Sequence, residues 1–263
     1  MISDNLIDFD KPLNLMLSIS RQNSIDKPYV VGGLVRDFLF KRVSDKSELD
    51  LDITTNSNEC IRLGIIFSNM SDKIFKMFED RHLRVFYSDL NIDFSPGILS
   101  FSHPGVLSWI RENMPDKEKD IESFSRDFTI NSMYQDIESG EIFDPTGLGM
   151  SDVESKILRT PIPPELTLKN DPRRIFRAIK FASQFGLSID SEIIEYVREN
   201  SEIILNPRLT TQYITTEINE ALKHNSEIAI SSIFDLGLFK MIPLTGSYSD
   251  YLIKNKLLSK YLS

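Results

Sequence analysis

Asp50 and Asp52 stand two residues apart in the run ELDLDITT at positions 48–55. Strict alternation of apolar and polar residues reads as a strand, in which successive side chains point to opposite faces. Leu49, Leu51 and Ile53 then share one face, and Asp50, Asp52 and Thr54 share the other. Two carboxylates roughly 7 Å apart at the backbone can converge on one cation. Magnesium prefers such hard oxygen ligands and recruits phosphate oxygens to complete its shell. The same spacing also suits a half-buried strand with a solvated acidic face. A third acid favours the metal-binding reading. In NIDFS, Asp93 alternates with Ile92 and Phe94. With this strand beside 48–55, Asp93 completes a trio. Three acids can hold two metals about 4 Å apart, one activating a hydroxyl and one steadying a triphosphate.

Gly32 and Gly33 lie between a short apolar strand, Tyr29–Val31, and a helical run at 34–42. Glycines there let backbone amides approach a ligand, and a helix start favours anions. Arg36, one turn in, is within reach of a phosphate. By itself a glycine pair is a tight connection. Followed by the two-acid strand, it places a phosphate cradle beside metal ligands.

The elements that must position these residues mix periods in the first half of the chain. A helix is expected at 11–21, another at 57–69, and two strands at 82–88 and 90–95 with Ser88-Asp89 as a hairpin turn. Residues 96–124 read as irregular and loop-like, a helix is expected at 127–135, and a strand at 141–143 runs into the turn-rich DPTGLG. From Asp171 onward helical periodicity takes over, at 171–185, 190–200, 210–223 and 226–237, with PIPPE (161–165) dividing the two regimes.

Composition excludes several classes. The chain has 263 residues and one cysteine, Cys60, so an intrachain disulfide and a cysteine-cluster zinc site are both ruled out. That usage suits the cytoplasm. The first residues, MISDNLIDFDKP, are acidic and lack the apolar core of a signal peptide, and no apolar run is long enough to span a membrane. A net charge of −9 argues mildly against a nucleic-acid partner. The basic residues nevertheless gather, in Arg159, Lys169, Arg173, Arg174, Arg177 and Lys180. His82, His103 and His224 are too scattered to imply a metal site.

Four ordered motifs carry a resemblance. GGLVRD (32–37) with DLDITT (50–55), SRDFTINSM (125–133), FDPTGLGMSDVESKILR (143–159) and NDPRRIFRAIKFASQFGL (170–187) resemble motifs A to D of the class II tRNA nucleotidyltransferase and bacterial poly(A) polymerase family. The resemblance implies an α+β fold. A mixed-sheet catalytic head (1–158) would precede an all-helical neck (159–263), with body and tail domains largely absent. It implies Mg2+ on Asp50 and Asp52, with Asp93 as a further catalytic acid. It implies nucleotide contacts from Gly32, Gly33, Arg36, Arg126, Asp127 and Asn131, and base selection by Asp171 and Arg174, with Arg177 and Lys180 lining the same pocket. The partners it implies are the tRNA 3′ end, CTP and ATP. A homo-oligomer or a partner subunit could replace the body and tail.

Chemistry supports the base-selection role. Asp171, Arg174 and Arg177 recur every third residue and form a ridge, with Ile175, Ala178, Ile179 and Ala182 on or near the other side. An ionised Asp only accepts hydrogen bonds and an Arg only donates. Cytosine and adenine both present an exocyclic amine beside a ring-nitrogen acceptor, whereas uracil and guanine put a carbonyl where the carboxylate would sit. An unpaired polar contact in a buried site costs about 1–3 kcal/mol. Asp171 before Pro172 also reads as a helix N-cap with proline at the first turn. The chain departs from the family pattern at Asn170, where glutamate is usual, and at Ser125 and Lys180, where arginine is common.

The expected activity is therefore template-independent addition of C, C and A to a tRNA 3′ end, with release of pyrophosphate. A poly(A) polymerase, an A-only or CC-only adding enzyme, and a non-catalytic RNA-binding relic are the alternatives.

Overall fold

The computed structural model describes residues 9–41, 50–55, 59–78, 82–95, 104–242 and 246–256. Leu49, His103, residues 96–102 of the expected loop and the end of the C-terminal helical segment (257–263) lie outside the described residues. The chain divides into two compact units, Met1–Met150 and Ser151–Ser263.

The first unit is built on a mixed sheet. Its elements are α1 (Asp10–Gln22), β1 (Pro28–Val31), α2 (Gly33–Leu39), β2 (Asp50–Thr55), α3 (Cys60–Ser71), β3 (Phe75–Met77), β4 (Leu83–Tyr87), β5 (Leu90–Phe94), α4 (Pro104–Asn113), α5 (Ile121–Ser125), β6 (Tyr134–Asp136) and β7 (Ile142–Phe143). The strand order is β3-β4-β5-β2-β1-β6-β7. The β2–β5 pair is parallel, and the other pairs are antiparallel.

Alternation along β2 sorts the sheet into two faces. Leu51 and Ile53 are fully buried on one, together with Ile92, Phe94, Leu83 and Val85 of β5 and β4. Leu63 and Phe67 of α3 close this core, and the Phe67 and Phe94 rings lie 5.8 Å apart. Gly64 lets α3 approach, because a β-carbon there would sit 2.8 Å from Phe94. The other face carries Asp50 and Asp52, with Asn91 and Asp93 opposite them on β5.

Two expectations in this unit are corrected. The loop expected at 96–124 holds α4, a 3-10 turn at Pro115–Asp120, and α5. Val106, Ile110, Ile121 and Phe124 are buried there, at a helical spacing masked in the sequence by interleaved charges. The helix expected at 127–135 is a 3-10 turn at Thr129–Asn131 leading into β6. Tertiary pairing of β6 with β1 overrides the local apolar pattern.

The second unit begins within α6 (Gly149–Ser155) and contains β8 (Ile157–Leu158), α7 (Pro164–Asn170), α8 (Arg173–Phe185), β9 (Ser188–Ile189), α9 (Ser191–Glu199), α10 (Thr211–Asp235) and α11 (Gly246–Lys254). Ile157 and Leu158 of β8 pair in parallel with Ser188 and Ile189 of β9. The apolar face of α8 (Ile175, Phe176, Ala178, Ile179 and Ala182) is buried, chiefly against α10. The helices expected at 210–223 and 226–237 are one span broken at Asn225, which leaves helical geometry at φ −155° and ψ 101°. Asn225 Oδ1 accepts from the Glu227 and Ile228 amides and so caps the second segment. Ser183 of α8 holds the break by donating to the Asn225 carbonyl and accepting from its amide, both at 2.9 Å.

Candidate active site

β2 delivers Asp50 and Asp52 to one face, and the parallel register sets Asp93 directly beside Asp52. The three acids differ in surroundings. Asp50 is exposed, and its Oδ1 accepts from Asn91 Nδ2 at 3.0 Å. The Asp52 carboxyl is pushed up to about 6, chiefly by burial, with Asp93 and Asp50 adding to the effect and Arg126 opposing it. Asp93 Oδ1 and Oδ2 accept from Arg84 Nε and Nη2 at 2.7 and 2.6 Å. The same Arg84 Nη2 lies 3.6 Å from Asp50 Oδ2. The hydrogen bonds to Asp93, with the charges of Asp50 and Asp52, hold Arg84 firmly protonated.

Gly32 is bare for a reason. Its φ is +76°, and a β-carbon there would lie 2.6 Å from Asp52 Oδ2 and 2.8 Å from Arg126 Nη1. Gly33 begins α2, and Arg36 lies within it. Arg36 is buried. Its Nε and Nη2 bind Asp37 Oδ1 at 2.8 and 2.7 Å, and its Nη1 donates to Asn131 Oδ1 at 3.0 Å. Asn131 Nδ2 in turn donates to Asp127 Oδ1 at 2.8 Å, which also accepts from the Phe128 amide. Arg36, Asn131 and Asp127 thus form one buried chain.

Arg126 is fixed from the opposite side. Its Nε and Nη2 donate to Glu122 Oε1 at 3.0 and 2.5 Å, and Tyr134 donates to Glu122 Oε2 at 2.7 Å. Burial works against the Arg126 charge, but Glu122 and Asp52 outweigh it and hold the guanidinium protonated.

In the second unit, α8 presents Arg174, Arg177 and Lys180 along one half-exposed ridge, with Asp171 just before its start. Asp171 takes a bidentate ion pair from Arg173, with both contacts at 2.8 Å, and its Oδ1 also accepts the Arg173 amide. Burial alone would raise the Asp171 carboxyl, but Arg173 outweighs it and holds the group below the usual range. Lys180 pairs with Glu217 of α10 at 2.7 Å, and the Arg177 guanidinium lies 5.1 Å from the Phe181 ring. Tyr213 is pushed up to about 12 by burial and by Glu217.

Sequence reasoning missed Arg84, Glu122 and Arg173. Arg84 could have been found: counting back from the Ser88-Asp89 turn sets it opposite Asp93. Glu122 lay in a segment read as irregular, and its one signal was its place four residues before Arg126, the spacing of a helical ion pair.

A cation fits the acidic face. Asp50 and Asp52 offer hard oxygen donors at alternate strand positions, and the missing side chain of Gly32 leaves Asp52 Oδ2 room. An ion would also relieve the cost of ionising Asp52. Among the described residues, no group of three His, Cys, Asp or Glu side chains is gathered to hold a metal, so the trio expected from the sequence is not preformed. No described helix is long and apolar enough to cross a membrane.

The family model described as the poly A polymerase head domain matches residues 28–159. A CCA-adding enzyme of a Geobacillus species is 24% identical over 250 residues, covering 90% of this chain and 55% of its own length. A tRNA nucleotidyltransferase of Schizosaccharomyces pombe is 28% identical over 257 residues, covering 88% and 50%. The chain thus spans about half the length of these curated relatives. Among solved structures, a Thermotoga maritima CCA-adding enzyme complexed with tRNA superposes with a TM-score of 0.69 at 21% identity, covering 91% of this chain and 53% of that one. A CCA-adding enzyme with CTP gives a TM-score of 0.69 at 22% identity, covering 91% and 52%. These two likenesses establish the fold.

Proposed function

The chain belongs to the family of the poly A polymerase head domain, and on that premise we propose that it is a tRNA nucleotidyltransferase adding C, C and A to the tRNA 3′ end from CTP and ATP. The observation that carries the proposal is the pair Asp50 and Asp52 projecting from one face of the sheet, with Arg126 held against Asp52 across Gly32. Relatives named for CCA addition, one of them solved with tRNA and one with CTP, support the choice of substrates.

Asp50 and Asp52 would hold Mg2+. When bound, the ion would polarise the α-phosphate and lower the pKa of the RNA 3′ hydroxyl. The chain's own residues do the rest. Asp52, raised to about 6, is increasingly ionised and able to take a cation as pH rises through that value. Arg126 places a buried positive charge beside it, where charge develops as pyrophosphate departs. Arg36 is braced by Asn131 and Asp127 at the Gly33 turn, so its part in binding a triphosphate is to keep that turn in shape while adding positive potential. On α8, Asp171 accepts from the exocyclic amine of C or A, and Arg174 donates to the neighbouring ring nitrogen. Arg177 and Lys180 add positive charge along the same ridge. For Asp171 to reach a base, its pair with Arg173 must open or share an oxygen. A single buried cysteine agrees with a cytoplasmic setting.

The test is an extension assay with magnesium on tRNA transcripts ending at the discriminator base, in C and in CC. CTP, ATP or both are supplied, and products are resolved at single-nucleotide length. Stepwise C, C and A followed by a stop is the expected result. Long A tracts would replace it with poly(A) synthesis, and single-step products with a partial adding enzyme. RNA binding without extension on any substrate would point to a relic.

A further inference from the structure

Arg84 lies on the carboxylate face, and the proposed chemistry leaves it unused. The antiparallel register of β4 and β5 sets it opposite Asp93. Its fork occupies both Asp93 oxygens, at 2.7 and 2.6 Å, and the same Nη2 lies 3.6 Å from Asp50 Oδ2. Bidentate, charge-assisted pairs of this kind are the strong ones. This pair is also partly shielded from water, with the Arg84 and Asp93 side chains 27% and 13% exposed. An arginine stays charged throughout the working pH range, so the charge does not switch off.

Three free carboxylates on one face would have the donors and the negative charge for two divalent ions. Here one of them is already neutralised by a fixed cation. A second dication would have to displace that guanidinium from Asp93 and then sit against it. We propose that Arg84 is a resident counter-cation that withdraws Asp93 from the metal-binding set, so that the site takes a single divalent ion, on Asp50 and Asp52, with Arg84 in place of a second. The proposal rests on the reading of Asp50 and Asp52 as metal ligands. It makes Arg84 a positioning residue and assigns Asp93 to Arg84 instead of to a metal.

The test is direct binding of Mn2+ alone to the whole chain, followed by the electron paramagnetic resonance signal of the free ion. Wild type is expected to bind one ion at this site, and Asp52→Asn to lose it. Arg84→Gln, which frees Asp93 while keeping a polar side chain, is expected to bind two ions, the first about tenfold more tightly than wild type. Arg84→Lys, which keeps the charge, should bind one. The double variant Arg84→Gln/Asp93→Asn removes the pair without leaving an orphaned acid. It should return to one ion, and it covers the case in which Arg84→Gln alone fails to fold. Binding that Asp52→Asn leaves intact would overturn the reading of the metal ligands. Binding that depends on Asp52 but has the same stoichiometry and affinity in Arg84→Gln as in wild type would overturn the proposal for Arg84. Two ions in the double variant would overturn it as well.

Discussion

The carboxylate of Asp52 and the guanidinium of Arg126 meet over the bare α-carbon of Gly32, where a β-carbon would stand 2.6 Å from one and 2.8 Å from the other. Gly32→Ala therefore meets two obstacles, a positive φ of 76° and a direct clash with both charged groups. A stability loss of about 2–4 kcal/mol is expected from strain and displaced side chains. Nucleotide transfer should fall more steeply than stability explains. Urea unfolding and single-turnover extension measured on the same preparation check this. Gly186 provides a contrast, because its φ is +67° but nothing lies within 4 Å. Gly186→Ala should cost only about 1–2 kcal/mol and leave the rate of the folded enzyme unchanged.

Asp52 should make the metal-free protein less stable as pH rises. Its folded pKa of about 6 stands above the ordinary 3.8, so between those values the folded state binds more protons than the unfolded one. Stability falls through that window and levels off above it. Asp52→Asn should be more stable than wild type by roughly 2–3 kcal/mol at pH 8 and equal to it near pH 3.5, while being inactive. Denaturant unfolding at the two pH values, with chelator present, tests the sign. Divalent ions should stabilise wild type more at pH 8 than at pH 5, and equal stabilisation at both would contradict the role given to Asp52.

Glu122 holds Arg126 through its Nε and Nη2 while accepting from Tyr134. Removing the acid leaves a buried guanidinium with less counter-charge. Glu122→Gln should cost about 3–5 kcal/mol of stability. Tyr134→Phe loses one hydrogen bond and should cost about 1–2 kcal/mol. Comparison of the two by urea unfolding separates the charge from the hydrogen bond.

Asp171 and Arg173 pair before α8, at two contacts of 2.8 Å. If Asp171 reads the base, Asp171→Ala should raise incorporation of U and G relative to C and A by about 5- to 150-fold, the span of one unpaired polar contact. Arg173→Ala, which frees the carboxylate, should leave discrimination intact or sharpen it. Competition between CTP and UTP on one primer measures the ratio. Unchanged discrimination in Asp171→Ala would leave the residue as a helix cap alone.

The alternation in DLDITT is enough to place Asp50 and Asp52 on one strand face, and NIDF does the same for Asp93, because the two-residue period of a strand is a local property. The ridge of α8 and the break at residue 225 are legible for the same reason, since helical spacing and an Asn cap are written within a few positions. What the sequence did not determine is which local pieces meet. Only tertiary pairing set β2 parallel to β5 and turned the run after Asp127 into a 3-10 turn and a strand. It also decided the ionic partners. Three acids on a face read as metal ligands by their type alone. Whether each is free, buried or already neutralised depends on desolvation and on charges brought in from other strands and helices, which act through space and have no fixed spacing along the chain.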